Sequence, residues 1–424
     1  MFTIEQLTAR EILDSRGRPT VEATCRLAGG VEASASVPSG ASTGTAEALE
    51  LRDGDPGRYG GLGCRRAVAN VIEIIHPALA GRTPGTQAEL DRTLLALDGT
   101  ENKSHLGANA VLAVSLAFAR AGAAQQRVPL HQFFAGMAGL PLKTLPRPTI
   151  NLFSGGKHAG GQAPIQDVLV VPASARDMDE ALAMTFAVYQ SAAALCHERY
   201  GVRLLRADEG GQAPPFPSAE AMLVDAVESI ERAGLRPGAD VSLAVDVASS
   251  HFFSDGVYRL GREPLDASGM IAELARWVSQ YPIVSVEDGL AEDEWAHWPA
   301  LRERIGGRAL VLGDDLLCTN PARIRRAIET KAATALLLKV NQIGTLTEAL
   351  EAIRLARGAG WRVTVSARSG ETEDDWLSDL AVGWAGDQIK VGSITQSERL
   401  AKYNRLLAIE ATTRLPLVGW PLKP

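Results

Sequence analysis

Residues 283–340 read IVSVEDGLAEDEWAHWPALRERIGGRALVLGDDLLCTNPARIRRAIETKAATALLLKV. Three apolar runs stand out in it: IVSVED (283–288), ALVLGD (309–314) and ALLLKV (335–340). Each is rich in Val, Ile or Leu and carries a charged residue at or beside its end. Short runs without polar alternation are those of strands covered on both faces, as in parallel sheets. Between them ARIRRAIETKA (322–332) spaces its apolar residues as a helix does. The unit repeats outward. VSLAVD (241–246) and the helical MIAELARWVSQ (270–280) precede it; LTEALEAIRLARGAG (346–360), VTVSAR (363–368) and QIKVG (388–392) follow. TINLF (149–153) and DVLVVP (167–172) add two strands in front, followed by long helical patterns near 176–199 and 218–233. Eight strands in this rhythm predict a TIM-type β/α barrel starting ββαα, with six βα units after it. A doubly wound open sheet is the competing architecture.

The front of the chain has another rhythm. Strand patterns at 3–4, 19–27 and 31–37 precede helical patterns near 64–75, 86–97 and 108–126. They predict an α+β domain, a β-meander capped by helices. The Pro-rich PLKTLPRP (141–148) is its expected linker, which divides the chain into 1–140 and 141–424.

Composition narrows the function. The chain has 424 residues, 43 basic and 50 acidic, for a net charge of −7. A 46% hydrophobic and 22% charged composition is that of a globular protein and not of a disordered one. The mild acidity argues against nucleic acid as a partner. Cys25, Cys64, Cys196 and Cys318 form no CxxC pair, which suits a reducing compartment. The N-terminus does not read as a signal peptide. The most apolar window, 110–119, is half of the roughly 20 residues a membrane span needs. A cytoplasmic enzyme is expected.

In a β/α barrel the strand C-termini converge on one mouth. Here they carry Asp246, Glu287, Asp314, Lys339, then Arg368 and Ser369, then Lys390. A single Asp at a strand end is most often a cap or a turn residue. Three acids followed by three bases are hard to explain that way. Oxygen-only ligands suit a hard cation such as Mg²⁺. A lysine beside such cations is expected to lose proton affinity and to serve as a base. The mixture fits an enolate forming next to a carboxylate. The Asp314–Asp315 doublet leaves the register of that ligand open by one position.

Three glycine-rich segments accompany these strands. VPSGASTG (37–44) follows a strand and lacks the GK[ST] ending of a Walker loop; it is a plain turn or a closing loop. SGGKHAGGQ (154–162) places His158 between the first two barrel strands. DEGGQAP (208–214) is a solvated turn or a functional segment.

The strings EILDSRGRPTVE (11–22), VPSGASTG (37–44), NKSHLGANAVLAVSLA (102–117), DEGG (208–211), VSVEDGL (284–290), GDDLLCTN (313–320), LLLKVNQIGTLTEAL (336–350), RSGETED (368–374) and SERLAKYN (397–404) resemble enolase along essentially the whole chain. The resemblance implies an α+β lid domain, a ββαα(βα)₆ barrel, a homodimer or higher homo-oligomer, and action on 2-phosphoglycerate or phosphoenolpyruvate. It implies two Mg²⁺ ions, one on Asp246, Glu287 and Asp314 and a second with the substrate and Ser39. Lys339 would remove the C2 proton and Glu209 would help the hydroxyl leave. Lys390 would hold the substrate carboxylate, Arg368 and Ser369 the phosphoryl group, and His158 would be the loop histidine.

The pattern is broken in three places. Ala367 stands where the family has His. Gln166-Asp167 stands where it has Gln-Glu, which shortens the acid by one methylene. Gln396 replaces a usual Arg. The first two alter the substrate's surroundings while the metal and base residues remain. That suggests a specialised paralogue resembling carboxyphosphonoenolpyruvate synthase, with Ala367 making room for a nucleotide-activated phosphonate. An ordinary glycolytic enolase and a non-catalytic binding protein are the alternatives.

Overall fold

The meander forms first in the chain. β1 (Ile4–Leu13), β2 (Pro19–Leu27) and β3 (Glu32–Ser36) pair in order and antiparallel. The sequence pattern at 3–4 reached only the first residue of β1. Its inward positions, Ile4 and Leu7, are three apart, because the register slips between Ile4 and Gln6 and breaks the alternation. The computed structural model describes residues 2–41, 44–203 and 205–420, so Ser42 and Thr43 of the 37–44 loop lie outside the described residues.

Helices cover this sheet. α1 (Arg65–Asn70) runs through a π turn at Val71–Ile75 into α2 (His76–Leu79). α3 (Gln87–Asp98) is capped by Thr86, whose Oγ accepts the Glu89 N–H. α4 (Ala108–Gln126) is buried on nearly every side, packed against β2 and β3 and against α3. Its length is set by Gly107 before it and by Arg127, which adopts a left-handed conformation after it. Truncating a fully buried residue such as Leu112 to Ala would cost about 2–5 kcal/mol. α5 (Leu130–Ala138) then leads toward the second half.

The second half is a closed eight-stranded barrel. Its strands are β4 (Arg147–Ser154), β5 (Asp167–Pro172), β6 (Val241–Asp246), β9 (Ile283–Glu287), β10 (Leu310–Gly313), β11 (Ala335–Leu338), β12 (Arg362–Ser366) and β13 (Gln388–Lys390). A small hairpin of β7 (Phe253–Ser254) and β8 (Val257–Tyr258) lies outside it. α6 (Met178–Tyr200) and α7 (Ala219–Arg232) follow β5. The remaining helices are α8 (Ala267–Gln280), α9 (Trp298–Ile305), α10 (Pro321–Thr330), α11 (Leu346–Gly358), α12 (Trp376–Gly383) and α13 (Ser397–Thr413). All residues of β4 to β6 are buried, which is why their runs are unbroken by polar alternation. The expected linker ends sooner than its prolines suggested: Arg147 and Pro148 already belong to β4 and are buried. No described helix is long and apolar enough to cross a membrane. The four cysteines are unpaired and buried.

The strands are not all parallel, as their composition had suggested. β5 pairs antiparallel with both β4 and β6. A loop, not a helix, joins β4 to β5, so the chain returns at once. The first residue of β5 therefore lies at the mouth, where its neighbours have their last. Asp167 stands opposite Ser154 on one side and Asp246 on the other.

The meander domain reaches that mouth too. Ser39 and Gly370 exchange backbone hydrogen bonds of 2.8 and 2.9 Å. A Cβ at Gly370 would run into the Asp14 carboxylate and the Arg16 guanidinium, so only glycine allows this approach.

Candidate active site

Register brings the expected strand-end residues together. Asp246 is directly opposite Glu287, and Ser366 is opposite Lys390. Asp314 and Lys339 each follow the last residue of their strands. Lys390 Nζ donates to Asp246 Oδ2 at 2.8 Å and to both Glu287 oxygens at 2.8 and 2.9 Å. Lys339 Nζ pairs with Asp314, whose other oxygen accepts from Gln342 at 2.8 Å. Of the doublet, Asp314 is the acid that faces Lys339.

All of these groups are buried, so their charges act strongly on one another. Burial works against ionised Asp246, but the adjacent Lys390 ammonium outweighs it and holds the carboxyl down at about 2. Glu287 goes the other way, well above the usual range, through burial and then the charge of Asp246. Burial would lower Lys339, yet Asp314 outweighs it and raises the lysine. Arg368 and Lys390 push the other way, the direction expected of a lysine beside cations such as Mg²⁺.

A second group lies on the β4–β5 side. His158 Nδ1 is 2.9 Å from Asp167 Oδ2, and its Nε2 is 3.6 Å from Glu209 Oε1. Ser154 donates to Asp167 at 2.5 Å, and Asn151 to Glu209 at 3.1 Å. Burial disfavours a charged imidazole, but Asp167 and Glu209 override it and lift His158 to about 9. His158 is thus a cation between two acids at neutral pH. Gln166 donates to Asp246 Oδ2 at 3.1 Å, while its own Oε1 is buried with no hydrogen-bond partner among the described residues.

The third group is cationic. Arg368 donates to both oxygens of Glu47, at 3.0 and 3.1 Å, and to Asn341 at 2.9 Å. Ser369 Oγ accepts from Arg16 at 3.2 Å. Arg399 fixes the backbone there, donating to the Arg368 and Ser369 carbonyls at 2.6 Å each. Ser39 Oγ donates to Glu50 at 2.9 Å and accepts from Arg52 at 2.7 Å. Ala367 joins Lys339, Lys390, Glu209, His158 and Arg368 around a cavity of about 10 Å³. Gln396, which adopts a left-handed conformation before α13, reaches only the Ala207 carbonyl, at 3.5 Å.

A family model described as the C-terminal TIM barrel domain of enolase matches residues 142–414, and the model of the enolase N-terminal domain matches residues 4–134. The chain belongs to the enolase family. It is an enolase-superfamily enzyme, and its acidic clusters are suited to a metal.

The donor set fits the Mg²⁺ on which enolases rely. Asp246, Glu287 and Asp314 offer only oxygens, from three neighbouring strands, and the unpartnered Gln166 oxygen adds another beside them. The tightest carboxylate groupings are others, however. Among the described residues, ligand atoms gather within 4.8 Å in His158/Asp167/Glu209 and in Asp288/Asp314/Asp315. Lys390 and Lys339 sit among the three expected ligands and pair with them.

Several site residues escaped the sequence reading. Asn341 lies two positions past Lys339, on the same strand end, and that spacing was a usable signal. Glu47 falls between two quoted strings, and Arg16 and Arg399 lie inside quoted ones without any periodicity that marks them. Asp288, next to Glu287, reads only as the end of the apolar run 283–288.

Proposed function

We propose that this enzyme removes the C2 proton of a phosphorylated three-carbon acid of the 2-phosphoglycerate/phosphoenolpyruvate type, and that its leaving-group side is altered, as in a specialised paralogue resembling carboxyphosphonoenolpyruvate synthase. One observation carries the second half. Both departures, Ala367 and Asp167, line or adjoin the same small cavity, while the lysine and carboxylate side is complete.

Lys339 is the base and Asp314 sets its charge. Lys390 binds the substrate carboxylate. Arg368 and Ser369 bind the phosphoryl group, oriented by Arg399 through their backbone carbonyls. Glu209, with His158 held as a cation beside it, faces the departing group at C3. Mg²⁺ on Asp246, Glu287 and Asp314, with a second ion near Ser39, would offset the carboxylate charge that now falls on the lysines and would stabilise the enolate. A cavity of about 10 Å³ holds one water at most. Substrate entry therefore requires the covering segments at 37–41 and 155–166 to move.

An ordinary enolase, interconverting 2-phosphoglycerate and phosphoenolpyruvate, is the second reading. It is favoured by the way Ser154 and His158 both hold Asp167, which absorbs the missing methylene. Ultraviolet absorbance with Mg²⁺ and 2-phosphoglycerate decides between them. Turnover of ~10–10² s⁻¹, the ordinary enzyme range, would establish the second reading. Slow or absent turnover with Mg²⁺ still bound would support the first, and nucleotide-activated phosphonoformate would then be tested for transfer of its carboxyphosphonate group to the three-carbon acid, with release of the nucleotide. Failure to bind Mg²⁺ would point to a non-catalytic role.

A further inference from the structure

Asp288 follows the last residue of β9 with φ of 44°, a left-handed conformation uncommon outside glycine. It is buried. Its N–H donates to the Leu312 carbonyl at 3.0 Å, and its carbonyl accepts from Ser249 at 3.1 Å. Its side chain turns onto the end of β10. One carboxylate oxygen accepts the Asp314 N–H at 3.0 Å and the other accepts the Asp315 N–H at 2.7 Å. The carboxylates of Asp288, Asp314 and Asp315 gather within 4.8 Å. Among the described residues Asp288 has no ion pair. Three buried acids this close repel one another, and a plain turn would not need that arrangement.

What the two hydrogen bonds do is orient successive peptide planes at Asp314 and Asp315. Strand side chains alternate, so a one-residue slip exchanges which acid faces the mouth. With both N–H groups turned to Asp288, the Asp314 carboxylate goes to Lys339 and Gln342. The Asp315 carboxylate goes toward the backbone at Gly44. We propose that Asp288 is a positioning residue that selects Asp314 over Asp315 as the acid facing the mouth, and through it sets the geometry of the divalent-cation ligands. The proposal rests on the Mg²⁺ reading above.

The test is calorimetric titration with Mg²⁺ alone on the wild-type protein, Asp288→Glu and Asp288→Ala, with thermal unfolding of each in the absence of metal. Glu keeps the charge but moves the carboxylate by about 1.5 Å, one C–C bond. Ala removes both charge and acceptors. Outer residues that orient ligands are typically worth 10–100-fold in metal affinity. The expected result is a loss of about tenfold for Glu and up to 100-fold for Ala. Mg²⁺ binding by Asp288→Glu equal to the wild type would mean that Asp288 acts by charge alone, and would overturn the proposal. Lower melting temperatures with unchanged Mg²⁺ affinity would make Asp288 a structural cap and overturn it equally. If Asp288→Ala fails to fold, Asp288→Glu still decides. A wild-type protein that takes no Mg²⁺ would refute the metal reading itself, a result visible before any variant is measured.

Discussion

The two sides of the barrel mouth are built differently. On one, Asp246, Glu287, Asp314, Lys339 and Lys390 stand at the ends of strands whose backbones are locked by ladder hydrogen bonds. Their side chains form two buried sets of ion pairs, Lys390 with Asp246 and Glu287, and Lys339 with Asp314. On the other, His158 and Glu209 come from loops, and Asp167 is there only because β5 runs backward. The first side keeps every residue the family resemblance asks for. The two departures near the cavity lie beside it: Asp167 opens β5, opposite Asp246, and Ala367 follows β12, its N–H donating to the Lys390 carbonyl at 2.8 Å. Both are at strand ends, so their backbones are held and the change falls on the side chains alone.

The largest expected effect lies on the strand side. Lys339→Ala should lower kcat by about 10²–10⁴, the range for a positioned base. It should also abolish exchange of the C2 proton in deuterated water, followed by proton NMR. Exchange persisting at the wild-type rate would remove Lys339 from the role of base. A smaller effect belongs to the two departures. Restoring both family residues, Ala367→His with Asp167→Glu, should raise 2-phosphoglycerate dehydration by about 10²-fold, since a misplacement near 1 Å costs roughly that much. A change of only a few-fold would show that the site was already fit for dehydration.

The smallest effect lies far from both. Asp379 in α12 accepts from Arg405 at 2.6 and 2.7 Å and from the His131 N–H at 3.0 Å, tying α12 to α13 and α5. Burial would raise its pKa, but Arg405 and His131 override this and hold it below the ordinary carboxylate range. Its folded value is depressed, so the stabilisation is present above the unfolded pKa near 3.9 and fades as pH falls through the folded value. Asp379→Asn should therefore lower the melting temperature by a few degrees at pH 7, with the gap to wild type closing in strong acid. A constant gap from pH 7 down to acid would show that packing, not charge, is what Asp379 supplies.

Much of the barrel was legible because a strand covered on both faces must be apolar throughout, and the ionisable residue ending it then stands out. Lys339 and Lys390 were found that way. β1 was not, since its register slip spoils the alternation, and neither was the antiparallel course of β5, since burial on both faces gives parallel and antiparallel strands the same composition. Glu47 and Arg16 reach the site from the meander domain across hundreds of residues of chain, and no local pattern encodes such a contact.

The sequence alone determined which ionisable groups end the strands and that the acids among them offer only oxygens. Those are matters of composition and spacing, which act locally; the resemblance to enolase marked three positions that differ. Only the tertiary structure decided which acid of the Asp314–Asp315 doublet faces Lys339 and that Asp167 shares the mouth with Asp246. Each depends on through-space distances between elements far apart in the chain, where a shift of one residue or a few ångströms reverses the outcome.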